Sequence, residues 1–118
     1  MSEANKIVLQ KANAAMSAGD PEGFLAYCAD NIKWTMVGEG TLQGKEAVRK
    51  WISTTYAKPP KFDVTRLIAE GDFLTALGGI AITDHVGKTT NYAYCDIWRF
   101  ERGLLSELQG FAIEVQST

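Results

Sequence analysis

Cysteine, histidine and proline are all scarce in this chain of 118 residues, which has two, one and three of them. Cys28 and Cys95 stand far apart and His85 is alone, so the sequence has no disulfide framework, no zinc-ligand spacing and no Cys-His-acid nucleophile system. An excess of charge is missing too. Twelve Lys and Arg stand against fourteen Asp and Glu, a formal charge of -2, with the bases scattered among the acids, and this excludes a nucleic-acid footprint. The longest apolar stretch, Phe73 to Ile82, is interrupted by Thr75 and two glycines and is far short of the roughly 20 residues that span a bilayer. The opening MSEANKIVLQ places Glu3 where a secretion signal carries a base and lacks an apolar run; a cytoplasmic location with reduced thiols is expected. Gly38-Glu39-Gly40 lacks the strand, glycine and lysine context of a phosphate cradle.

What remains is the composition of a folded globular protein, 46% hydrophobic and 22% charged, at a length that predicts one domain over residues 1–118. Ala4, Ile7, Val8, Ala12, Ala15 and Met16 recur at helical spacing, so residues 3–18 are expected to form an amphipathic helix capped by Ser2 and stopped by Gly19. Asp20-Pro21-Glu22 supplies a cap, a first-turn proline and an acid for a second, short helix over 21–29, with Phe24, Leu25 and Cys28 buried. Residues 32–36 alternate as a strand with Ile32, Trp34 and Met36 on one face, followed by a glycine-rich loop. A third helix runs from Lys45 to about Thr55, carrying Val48, Trp51 and Ile52, and Pro59-Pro60 forbids its continuation. From Lys61 the period changes. Residues 61–69, 73–83, 89–100 and 104–115 are β-prone runs joined by short glycine turns, which predicts a meander of antiparallel hairpins and an α+β fold.

The long strands are apolar on both faces. Residues 89–100 place Tyr92, Tyr94, Asp96, Trp98 and Phe100 on one side and Ala93, Cys95 and Ile97 on the other. Three helices cover only one face of a four- or five-stranded sheet, so the second face calls for another cover, most economically a second copy of the chain. A homodimer through the outer sheet face is the expectation.

Several phrases in this order resemble the superfamily of cone-shaped α+β proteins that includes nuclear transport factor 2, the ketosteroid isomerases and the SnoaL-like polyketide cyclases. They are Met16-Ser17-Ala18-Gly19-Asp20 with Phe24; Trp34 followed by the Gly38 to Gly44 loop and Gly44-Lys45-Glu46-Ala47-Val48; and Cys95-Asp96-Ile97-Trp98-Arg99-Phe100 before a glycine turn. The resemblance covers nearly the whole chain. It implies a single domain with three N-terminal helices on a strongly curved, mainly antiparallel sheet wrapped around an apolar pocket, and it agrees with dimerisation.

Strand parity then lines the pocket with Trp34, Met36, Tyr92, Tyr94, Asp96 and Trp98, and with Gly79, Ala81 and Thr83 from the neighbouring strand. Asp96 is the expected catalytic residue. A carboxyl between Tyr94 and Trp98 loses hydration, its pKa rises, and it becomes a proton or hydrogen-bond donor at neutral pH; the structural alternative is a hydrogen-bonded core acid. The resembling segment of ketosteroid isomerase carries a neutral aspartic acid of this kind. Departures from that enzyme are plain: its proton-shuttling carboxylate falls at Met36 and its helix tyrosine at Ala12, neither of which moves a proton. Epoxide hydrolases of the superfamily need two aspartates and an arginine, yet Arg99 has the opposite parity to Asp96. Dehydratase relatives use a histidine, whereas His85 lies at a hairpin tip and reads as a solvated turn residue. Tyr27 on the second helix falls near the pocket mouth.

Three readings follow. The leading one is a SnoaL-like enzyme of isomerase, cyclase or lyase type, moving a proton on an apolar carbonyl compound through Asp96 without cofactor or metal. The others are a non-catalytic protein binding a small apolar or polycyclic ligand, and a dimerisation or protein-interaction module.

Overall fold

The computed structural model describes residues 2–116, and the cap expected of Ser2 lies outside the described side chains. Its elements are α1 (Ser2–Ser17), α2 (Pro21–Leu25), β1 (Cys28–Met36), β2 (Gly40–Gln43), α3 (Lys45–Thr55), β3 (Lys61–Glu70), β4 (Phe73–Thr83), β5 (Thr89–Glu101) and β6 (Leu104–Val115). The strands form one sheet in the order β2-β1-β6-β5-β4-β3. All pairings are antiparallel except β1 with β6, and the edges β2 and β3 do not meet, so the sheet is an open cone with the helices inside. The α+β class stands.

Two local expectations are corrected. The second helix ends at Leu25 and Cys28 already opens β1, because Ala26 N and Tyr27 N satisfy the last carbonyls, Glu22 O and Phe24 O, and the chain turns out into the sheet. The glycine-rich loop contains a strand: β2 folds back on β1 with Trp34 opposite Leu42, giving six strands among the described residues. A third correction concerns α1. Its buried stripe is Asn5, Leu9, Ala12 and Met16, rotated from the expected one, and Ile7 is exposed.

Asp20 caps α2 by accepting from Gly23 N at 2.9 Å, as the sequence implied. Arg49 of α3 donates to both carboxylate oxygens of Glu22, at 2.7 and 2.9 Å, and so ties the second helix to the third. On the far edge, a Cβ at Gly78 would stand 2.2 Å from Asp63 O, so only glycine lets β3 cross this close, beside the bulge between Val64 and Arg66 that bends the sheet.

The β5–β6 hairpin turns on Arg102 and Gly103, both at positive φ. Arg102, at φ 53, carries a side chain in a conformation that costs a non-glycine residue about 1 kcal/mol. Arg102→Asn is expected to raise the urea midpoint by the equivalent of about 0.5–1 kcal/mol with an unchanged slope. A lower midpoint would show that the turn is not what strains this position.

Candidate active site

Across the concave face, pairing sets side chains in rungs. One rung runs Trp34, Leu108, Trp98, Leu74; the next runs Met36, Gly110, Asp96, Ala76; the third contains Ala112, Tyr94 and Gly78. Asp96 therefore lies between two small neighbours, Gly110 and Ala76. A Cβ built on Gly110 would stand 2.9 Å from Met36 Sδ and 3.0 Å from Asp96 Oδ1. A side chain at 110 would collide with both, so only glycine leaves room on this rung for the thioether on one side and the carboxyl on the other.

Among the described residues, no side chain or backbone N–H is hydrogen-bonded to the Asp96 carboxyl. Burial alone pushes its pKa up to about 7. The residue keeps some accessible surface because it lines a cavity, but apolar walls deny it most of its hydration. Burial, reinforced by the carboxylates of Asp96 and Asp63, pushes the Tyr94 phenol up to about 12. The Tyr56 phenol is raised by burial first, then by Asp96 and Tyr94, so Tyr56, Tyr94 and Asp96 lie close enough to feel one another's charge.

The cavity has a volume of about 170 Å³. Trp34, Met36, Tyr92, Tyr94, Asp96 and Trp98 all stand on its wall, as parity predicted. Thr83 does not. It pairs with Thr89, its hydroxyl 2.8 Å from that of Thr89, on the outer sheet face together with Gly79 and Ala81. The inward residues of β4 are the even-numbered ones, because Leu74 opposes Trp98; Ile80 and Ile82 reach the cavity instead. The run 73–83 is apolar on both faces, so its parity was not readable from the sequence.

Trp34 organises the floor. Its ring packs edge-on to Phe24 at 6.0 Å and to Trp98 at 5.7 Å, and lies 5.4 Å from Trp51, which in turn meets Tyr56 at 5.6 Å. Tyr56 was missed by sequence reasoning, although Val48, Ile52 and Tyr56 recur every four residues and point to one helix face. Phe62, packed 6.3 Å from Tyr94, and Asn13 and Glu39 at the rim were likewise not anticipated.

Other candidates fall away from the site. Arg99 is on the outer face, donating to Glu107. His85 donates from Nε2 to Ser53 O at 3.0 Å, pinning the exposed β4–β5 turn to the end of α3. Tyr27 packs half-buried against the core, away from the cavity wall. Burial pushes the Cys28 thiol up to about 12, which leaves it protonated and inert. No group of three His, Cys, Asp or Glu side chains is gathered for a metal among the described residues, and no helix is long and apolar enough to cross a membrane.

The SnoaL-like domain profile matches residues 9–108. No curated protein matches. Solved structures similar to this chain include a nuclear transport factor 2-like protein of unknown function from Burkholderia pseudomallei, 24% identical over 93% of this chain and 90% of that one, with a TM-score of 0.80. An epoxide hydrolase from Mycobacterium tuberculosis, of the type abbreviated LEH-like, is 12% identical over 95% and 84% of the two chains, with a TM-score of 0.84. A protein from Xanthomonas campestris, provisionally named a polyketide cyclase, is 14% identical over 93% and 90%, with a TM-score of 0.82. At these identities the likeness is one of fold.

Proposed function

The chain belongs to the SnoaL-like family, and from that premise we propose that it is a small-molecule enzyme of isomerase, cyclase or lyase type. Asp96 takes a proton from the carbon next to a carbonyl group, the electron pair moves into the carbonyl as an enolate, and the proton returns at another position or a leaving group departs. The observation that carries this reading is the Asp96 carboxyl, which lines the cavity with no hydrogen-bond partner among the described residues and is balanced near neutrality at about 7. A base with that pKa accepts and returns a proton at similar cost, which is what a transfer without net acid or base consumption requires. All these groups belong to the chain itself, and the step calls on no cofactor.

A second reading, a binder of a small hydrophobic compound, is favoured by one feature: the residue across Gly110 from Asp96 is Met36 and not a second acid. Proton exchange separates the two. In D₂O the wild type is expected to replace the acidic C–H protons of methylcyclohexenone by deuterium, seen as loss of their proton NMR signals, at least 100-fold faster than Asp96→Asn. Saturable binding with no exchange above the mutant's rate would make the protein a binder.

The proposal extends to assembly and location. Phe111, Ile113 and Val115 form an outward stripe on β6 and are 42%, 72% and 43% exposed, beside Cys95 and Leu77. A second copy of the chain covers this stripe, as the two-faced strands suggested. Both cysteines are free, which suits the reducing cytoplasm.

A further inference from the structure

Glu39 stands exposed on the rim of the cavity with no cation to hold it. Among the described residues its carboxylate enters no ion pair and no hydrogen bond. Lys45 and Arg49 of α3, the helix that also carries Trp51, are taken by other acids, Asp30 for the first and Glu22 with Glu46 for the second. The turn that carries Glu39 is nevertheless fixed. Val37 N donates to Gly110 O at 2.8 Å and Glu39 N donates to Met36 O at 2.9 Å, so the turn hangs from the rung that holds Met36, Gly110 and Asp96. Gly38 and Gly40, at φ of 92° and 140°, supply the backbone conformations that this reversal needs.

Glu39 lines two adjoining spaces. One is the cavity, and the other is a groove beside the β1–β2 turn, lined also by Thr41 and Leu42; Trp34, Met36 and Trp51 are common to both. Trp51 is half-buried, with the Trp34 ring 5.4 Å away and the Tyr56 ring 5.6 Å away. An exposed ion pair alone contributes little. Beside a run of electron-rich rings the same carboxylate gains a second attraction for a cation, and the two together compensate an organic cation for the water it sheds. The rest of the lining has the same sign. No Lys, Arg or His lines the cavity, so an anion would meet the Glu39 carboxylate at the entrance and a second one inside whenever Asp96 has lost its proton.

Resting on the proton-transfer reading for its inner end, we propose that the substrate is a carbonyl compound that also carries an ammonium group, received at the rim by Glu39 beside Trp51. The apolar part of the molecule lies inward, toward Asp96. Glu39 then determines which compounds enter and how they lie, while the proton is moved by Asp96 alone. An exposed residue on a glycine turn suits this task, since its replacement alters the charge of the entrance and leaves the core untouched.

The test uses the intact protein and three probes that share one ring and differ in charge: benzylammonium, benzyl alcohol and benzoate. Binding is followed by tryptophan fluorescence and by the tryptophan indole N–H resonances, at low ionic strength and again at about 0.3 M salt. Benzylammonium is expected to bind about 10-fold more tightly than benzyl alcohol at low salt and to show nuclear Overhauser contacts from its methylene group to the Trp51 ring; benzoate should not bind saturably. Added salt should shrink the preference several-fold, because the pair it screens is exposed. Glu39→Gln is expected to abolish the preference while leaving benzyl alcohol affinity and the melting temperature of the free protein unchanged. Asp96→Asn should keep most of it.

Equal binding of benzylammonium and benzyl alcohol, tighter binding of benzoate, no saturable binding of benzylammonium, a preference that survives Glu39→Gln, or one that disappears in Asp96→Asn would overturn the inference. The proton-transfer reading fails separately, because methylcyclohexenone is uncharged and tests Asp96 without Glu39. Deuterium exchange on methylcyclohexenone with no preference for benzylammonium would leave that reading standing and sink this one; the preference without exchange would do the reverse.

Discussion

Asp96→Asn is expected to melt at nearly the same temperature as the wild type at pH 3 and well above it at pH 8. The sign follows from the direction of the shift. Burial raises the folded-state pKa of Asp96 from 3.8 to about 7, so the folded protein holds this proton over a range in which the unfolded chain has released it. Wild-type stability is therefore fully present below about pH 4, declines as the pH rises toward 7, and levels off above it. At about 1.4 kcal/mol per pKa unit the ceiling is on the order of 4 kcal/mol, and the amide, which cannot ionise, avoids it. Water reaching the cavity lowers that figure; 2 to 3 kcal/mol is an order-of-magnitude expectation for the difference at pH 8. Thermal melts of both proteins from pH 3 to 8 measure it directly. A mutant less stable than the wild type at neutral pH would mean that an ionised Asp96 accepts hydrogen bonds in the core, and would remove it from the proposed active site. The same substitution should abolish proton exchange, so stability and turnover move in opposite directions at one residue, as expected when a site is built at the expense of the fold.

Ile113→Lys is the second large effect. Ile113 is 72% exposed in the single chain, so the substitution costs the folded monomer almost nothing. In the proposed dimer the same position is covered, and a lysine there is an unpaired charge in an apolar interface, worth about 3 kcal/mol or more. Sedimentation of the wild type is expected to give near twice the 12.9 kDa chain mass, and the mutant the mass of one chain with an unchanged circular dichroism spectrum. A wild type that sediments as a monomer at micromolar concentration would end the dimer proposal.

Much of this architecture was written in local patterns. The three helices announce themselves through caps, a first-turn proline and spacings of three and four, and the meander through glycine turns between β-prone runs; each signal depends only on residues within a turn of one another. The place of Asp96 on the cavity wall was legible for the same reason, since its aromatic neighbours Tyr94 and Trp98 stand two residues away on the same strand. The short strand β2 escaped because four residues between glycines carry too little pattern. The rotated stripe of α1 escaped because alanines and Ile7 gave a competing face of similar width.

The tertiary structure alone decided the rest. Which face of β4 looks inward depends on Leu74 pairing with Trp98, and a strand that is apolar on both sides carries no parity of its own, so Ile80 and Ile82 replaced Thr83. The placing of Met36 and Asp96 on either side of Gly110 needs the parallel pairing of β1 with β6, two strands about seventy residues apart. Tyr56 joins the site because α3 packs across β1 and β2. The sequence determined which groups were available and how each segment coils or extends, because those are short-range steric and solvation effects. The volume of the cavity and its lack of a cation belong to no segment; they arise where side chains from eight elements close on one space, and long-range packing sets that distance.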